Sequence, residues 1–78
     1  MKTIQILGTG CPKCERLTAN ARAAVDQLGA DCRIEKITEL ARITEMGVMF
    51  TPALAIDGVV KSAGKVLDPD AIKALIQE

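Results

Sequence analysis

Two cysteines with two residues between them, Cys11 and Cys14, are the side chains of this sequence best suited to chemistry. A Cys-x-x-Cys pair can close into a disulfide and exchange it with another, or it can hold a soft metal between two thiolates. Position separates these uses. The segment Gly8-Thr9-Gly10-Cys11-Pro12-Lys13-Cys14 lies where a strand pattern gives way to a helix pattern. Ahead of it, Lys2-Thr3-Ile4-Gln5-Ile6-Leu7 is dense in β-branched and aliphatic residues and predicts a buried strand. Behind it, Leu17, Ala21, Ala24, Val25 and Leu28 recur at helical spacing along one apolar stripe. Pro12 suits the first helical position, where its missing N–H has no intrahelical partner to lose. Cys11 then falls at the N-cap, where its sulfur can accept from the N–H groups of Lys13 and Cys14 at the positive end of the helix dipole. These influences favour thiolate over thiol, so Cys11 is the expected nucleophile. Cys14, inside the first turn, is expected to be less exposed and placed to attack a disulfide formed on Cys11. The glycines of the loop let other backbones come close to the sulfur.

A structural reading stands beside the chemical one. Half of a zinc site also shows Cys-x-x-Cys, but zinc takes a tetrahedral ligand set. The chain has no His and only one further cysteine, Cys32, so a closed site within one chain lacks donors. Cys32 itself reads as a small core thiol sharing a strand face with Ile34. Lys13 has two readings: a cation beside Cys11 that favours its thiolate, or a solvated residue on the first turn. Of Met49 and Phe50, one is expected in the core and the other on an apolar rim near the sulfurs.

The 78 residues are expected to form one domain, 1–78, with a core only marginally sufficient for its size. Phe50 is the only aromatic residue, so that core must be packed from Ile, Leu, Val, Ala and Met. Ten basic and ten acidic residues cancel without forming a basic block, which argues against nucleic acid as a partner. Apolar runs are far too short to span a membrane. A single Lys followed at once by a strand pattern resembles no secretory leader, so the expected compartment is the cytoplasm, where a catalytic disulfide is more at home than a structural one.

The elements that must position the motif follow in order. The first helix is expected to reach Leu28 and stop at Gly29, with Glu15, Arg16, Asn20, Arg22 and Asp26 on a solvated face. Residues 31–37, Asp-Cys-Arg-Ile-Glu-Lys-Ile, alternate charged and apolar positions, the pattern of an edge strand with one wet face. A second helix is predicted after Thr38 as N-cap, with Leu40 and Ile43 facing inward and Gly47 ending it. Ala53-Leu54-Ala55-Ile56 and Val59-Val60-Lys61-Ser62 read as a hairpin about an Asp57-Gly58 turn. Asp68 as N-cap and Pro69 at the first helical position open a last helix whose stripe is Ile72, Leu75 and Ile76. The order β-α-β-α-β-β-α predicts an α/β fold. It is a four-stranded mixed sheet with a parallel first pair, an antiparallel hairpin and helices on both faces.

With those residues in place, the whole chain resembles the thioredoxin fold in its minimal form. It is most similar to small thioredoxin- and glutaredoxin-like redox-active disulfide proteins. The resemblance rests on Cys11-Pro12-Lys13-Cys14 after the first strand, Thr51-Pro52 before the third, and the Asp57-Gly58 hairpin followed by Gly64. It implies a thiol–disulfide oxidoreductase with Cys11 and Cys14 catalytic and no cofactor beyond their disulfide. It further implies a cis Pro52 packed beside the cysteines, with Thr51 offering backbone groups to an extended substrate. Pro12, Lys13 and Gly64 complete the implied substrate-binding set. Implied partners are a disulfide-bearing protein and a thiol reductant or reductase, met by a monomer. The pattern also departs from its relatives. Gly10 stands where thioredoxins carry Trp, Pro12-Lys13 replaces Gly-Pro, and Gln5 holds the place of a buried Asp. Glutaredoxins share Cys-Pro-x-Cys but place Tyr or Phe at Lys13. A different class keeps a local match: ferredoxin-like carriers of copper, mercury or arsenic also place Gly-x-x-Cys-x-x-Cys after their first strand. Their order, β-α-β-β-α-β, ends on a strand, whereas this chain is predicted to end on a helix.

Overall fold

The computed structural model describes residues 2–10, 12–29 and 31–77. Seven elements follow in the expected order: β1 (Lys2–Leu7), α1 (Pro12–Leu28), β2 (Cys32–Ile37), α2 (Leu40–Glu45), β3 (Ala53–Ile56), β4 (Val59–Ala63) and α3 (Pro69–Ile76). The strands form one sheet in the order β2-β1-β3-β4. β1 pairs parallel with β2, from Lys2↔Cys32 to Leu7↔Ile37. β3 runs antiparallel to both β1 and β4. β2 is therefore an edge, as its charged alternate residues require.

Strand parity divides the apolar residues between two layers. Ile4 and Ile6 of β1 and Leu54 and Ile56 of β3 pack with Leu17, Ala21 and Ala24 of α1 and Ile72 and Ile76 of α3. On the opposite face, Leu7, Ala53 and Ala55 meet Ile37, Ile43 and Val48 beneath α2. Residues of one strand that differ by two positions share a face, so a single register suffices to sort them. The smaller layer uses alanines on β3, which suits the six-residue helix covering it.

Local chemistry pins the ends of the elements. Asp57 and Gly58 both have positive φ, at 52° and 84°, the condition for a type I′ hairpin turn. The turn is tied to β1: Thr3 N donates to Asp57 Oδ1 at 2.9 Å, and Gly58 N donates to Gln5 Oε1 at 2.9 Å. Asp68 accepts from Ala71 N at 2.8 Å, which caps α3 behind Pro69. α2 closes in a Schellman motif, with Val48 N donating to Ile43 O at 3.2 Å and Gly47 N to Thr44 O at 2.9 Å. Ile43 and Val48 make the buried contact that accompanies such an ending.

Three expectations need correction. The N-cap of α2 is Glu39, not Thr38, and no side chain caps it. Ile37 is still held in the sheet, accepting from Gly8 N at 3.0 Å, so the chain turns into the helix one residue later. Leu40 is 68% exposed instead of facing inward. It opens a helix of less than two turns, whose buried side is supplied by Ile43 alone. Asn20 does not simply face solvent. Its Nδ2 donates to Leu67 O at 2.9 Å and ties α1 to the segment leading into α3. Among the described residues, no helix is long and apolar enough to cross a membrane.

Candidate active site

The C-terminal end of β1, the first turn of α1 and the approach to β3 converge on Cys14. The expectations placed on Cys11, its N-cap position and nucleophilic role, fall outside the described residues. Cys14 lies within the first turn of α1 and is only 5% exposed, as expected of the inner cysteine. The cause is a close approach by Gly8. A Cβ built on Gly8 would overlap Cys14 Sγ and stand 3.2 Å from Cys14 Cβ and 3.9 Å from Pro52 Cα. Any side chain at position 8 would fill the space that the sulfur occupies. Pro52 is itself buried, and the Thr51–Pro52 bond is cis.

Around this buried pair lies an exposed rim. Pro12, Lys13 and Thr51 are exposed, so anything approaching the first turn of α1 meets them. Gly64 N donates to Pro52 O at 2.8 Å, fixing the end of β4 against the entry to β3. A side chain at Gly64 would press on Phe50, with a Cβ only 3.1 Å from that of the phenylalanine. Met49 and Phe50 are 88% and 69% exposed, so neither joins the core and the expected division between them does not occur. Val48 alone of that apolar run turns inward, held by the α2 ending.

Two charged residues of the site were not singled out for it by sequence reasoning. A cleft beside Cys14 is lined by Ile6, Gly8, Gly10, Glu15, Thr18, Lys36 and Thr38. Both are exposed, Glu15 on the solvated face of α1 and Lys36 on the edge strand β2. The signal for Lys36 lies in its parity with Cys32 and Ile34, which places it on the α1 side of β2. Thr18 Oγ1 donates to Cys14 O at 2.9 Å. Gln5 is turned away, on the α2 side of β1, and its carbonyl is engaged by the hairpin turn. Cys32 is partly buried against the larger layer and pairs with Lys2 at the far end of the sheet, a core thiol remote from Cys14. Among the described residues, no cluster of three or more His, Cys, Asp or Glu is disposed to hold a metal ion.

Residues 2–77 match the thioredoxin domain family. The chain belongs to the thioredoxin family. It is 46% identical over 76 residues to a thioredoxin of Methanothermobacter thermautotrophicus, covering 97% of this chain and 99% of the relative. It is 42% identical over 73 residues to a thioredoxin of Methanocaldococcus jannaschii, covering 94% and 84% respectively. The four-stranded mixed sheet with three helices is the minimal thioredoxin-like fold. The activity that follows is thiol–disulfide oxidoreduction of the thioredoxin type. After the first βαβ unit a second helix, α2, precedes the hairpin, so the order β-α-β-α-β-β-α differs from the β-α-β-β-α-β of the ferredoxin-like metal carriers sharing its local motif.

Proposed function

We propose that Cys11 and Cys14 carry out the exchange with unequal roles and no cofactor. Cys11 thiolate attacks one sulfur of a substrate disulfide. The substrate S–S bond breaks, its other sulfur leaves as a thiolate that takes a proton, and Cys11 is left in a mixed disulfide. Cys14 thiolate then attacks Cys11 Sγ, the mixed disulfide breaks, and the second substrate thiol departs. The substrate gains two electrons and the Cys11–Cys14 pair becomes a disulfide. The observation that carries this assignment is the burial of Cys14 against Gly8. A thiol so enclosed is unsuited to meeting a protein disulfide first, but well suited to attacking a bond formed one turn away.

Thr51, Pro52 and Gly64 receive the substrate backbone in this reading, while Pro12 and Lys13 meet it from α1. The partners are a disulfide-bearing protein and a thiol reductant or reductase. Residues 1–78 act as one domain, a monomer in the cytoplasm, without nucleic acid or membrane. Support for the binding surface comes from the exposure of Thr51 beside the buried Pro52.

Trapping tests the roles. Cys14→Ser should accumulate a long-lived mixed disulfide through Cys11 when mixed with an oxidised protein substrate, read by mass spectrometry. Cys11→Ser should form none and should reduce nothing. A Cys14→Ser protein that turns over normally, or that is trapped through Cys32, overturns the assignment.

A further inference from the structure

One row of side chains shows which flank of the site α1 turns toward α3. Lys13, Arg16, Asn20 and Gln27 follow one another at steps of three, four and seven residues, so they share one face of the helix. Two of them are anchored. Asn20 Nδ2 donates to Leu67 O at 2.9 Å, and Lys73 Nζ of α3 donates to Gln27 Oε1 at 2.7 Å. The row therefore borders α3 and the segment leading into it, and Lys13 and Arg16 continue it toward the cysteines. That segment is itself tied at two points, by Gly64 N donating to Pro52 O at 2.8 Å and by Leu67 holding Asn20. Lys65 lies between the two ties. Lys13, Arg16 and Lys65 are all exposed, and among the described residues none of them is in an ion pair. The carboxylates at the start of α3 are already engaged: Asp68 caps the helix, and Asp70 pairs with Lys73 at 3.0 Å. The other flank of the site is balanced, because Glu15 and Lys36 line the same cleft with opposite charges. The chain as a whole carries no net charge, so the three cations are a local excess and not a general basicity.

We propose that this cationic flank selects protein disulfides whose cysteine is bordered by acidic residues, with the carboxylates lying along Lys65, Arg16 and Lys13. The inference rests on the two-cysteine exchange proposed above and adds its substrate class; the redox step itself is unchanged. Lys65 follows Gly64, and Gly64 is bonded to Pro52, so a chain received at Thr51 and Pro52 passes the three cations on its way across the site. Exposed charges of this kind act on encounter more than on the bound state, and their effect falls as salt rises. The flank therefore speeds formation of the mixed disulfide with an acidic segment and slows it with a basic one.

The test uses three short peptides, each with one cysteine flanked on both sides by Asp, by Ser or by Lys and joined through a disulfide to 2-mercaptoethanol. Excess reduced protein acts on each, and the freed peptide thiol is followed by rapid quench and mass spectrometry. The ratio of the Asp-flanked to the Lys-flanked rate is compared between the natural sequence and the double variant Arg16→Gln/Lys65→Gln, so that the peptides' own reactivities cancel. Both positions are exposed, so folding is not at stake. At low ionic strength the ratio should fall about tenfold in the double variant, the lower end of what electrostatic steering contributes. At about 0.5 M salt, where screening acts over a few ångströms, the ratio should fall less than about twofold. The Ser-flanked rate should stay within about twofold throughout, since a neutral segment gains nothing from steering. Arg22→Gln, which removes an exposed positive charge from another face of α1, should leave the ratio as it is. An unchanged ratio in the double variant at low salt, or an equal fall with Arg22→Gln, overturns the inference. If either occurs while all three peptides are reduced and Cys14→Ser still traps them, the exchange stands and only the acidic selectivity is wrong. A natural protein that reduces none of the three overturns both.

Discussion

The close approach at Gly8 gives the site its sharpest single-residue dependence. An added methyl group there collides with Cys14 Sγ and stands 3.9 Å from Pro52 Cα. Overpacking of this kind costs about 1–3 kcal/mol when the surroundings must shift. Gly8→Ala should lower the urea midpoint by a corresponding amount, and it should also displace the sulfur. Its mixed disulfide should therefore persist longer than that of the natural sequence, whereas an ordinary core substitution would affect stability alone. Cys32 makes the contrast. It pairs with Lys2, five positions along β2 from Ile37, roughly 16 Å at the usual rise of a strand. Cys32→Ser should cost about 1 kcal/mol or less and leave the rate of insulin reduction unchanged.

At the scale of elements, α3 depends on its first turn more than its eight residues suggest. Ile72 and Ile76 supply the larger layer with buried contacts, and the helix that carries them is too short to hold itself together in isolation. The Asp68 carboxylate satisfies one of its unpaired N–H groups. Asp68→Ala should cost about 1 kcal/mol in chemical denaturation with the slope unchanged, and Asp68→Asn, which keeps an acceptor, should cost clearly less. α2 behaves differently. It lacks a side-chain cap at its N-terminus, and its C-terminal Schellman bonds together with the Ile43–Val48 contact hold it in place.

Over the whole molecule, the two layers are unequal. The layer formed with α1 and α3 joins two helices to both central strands, while the opposite layer rests on one short helix and small alanines. Local opening free energy follows the number of buried apolar partners. Amide hydrogen exchange should therefore be slowest in β1 and β3 and along the buried side of α1. Segment 40–48 should exchange well before them, at a free energy below that of global unfolding. Equal protection on both faces would show that the molecule opens only as a unit. An unequal pattern also suits the site, because the loop 49–52 that carries Thr51 and Pro52 joins the weakly covered segment 40–48 to the central strand β3.

The sequence by itself determined the order of elements, the buried stripes of α1 and α3 and the start of α3, because these depend on local periodicity and capping. Ile4 and Ile6, Leu54 and Ile56, and Asp68-Pro69 each announce their place within a few residues of chain. It also marked Cys14 and Pro52 as neighbours through the resemblance of their motifs. The tertiary structure alone decided what those motifs rest on. Gly8 looked like a loop glycine, and only the packing of α1 against β1 reveals that its missing side chain makes room for a sulfur. Glu15 and Lys36 lie 21 positions apart in sequence, and their shared cleft exists only because β2 pairs with β1 in one register. Leu40, Met49 and Phe50 misled for the complementary reason. Hydrophobicity makes burial favourable, but a molecule of 78 residues with one short helix on its second face has too little cover for every apolar side chain.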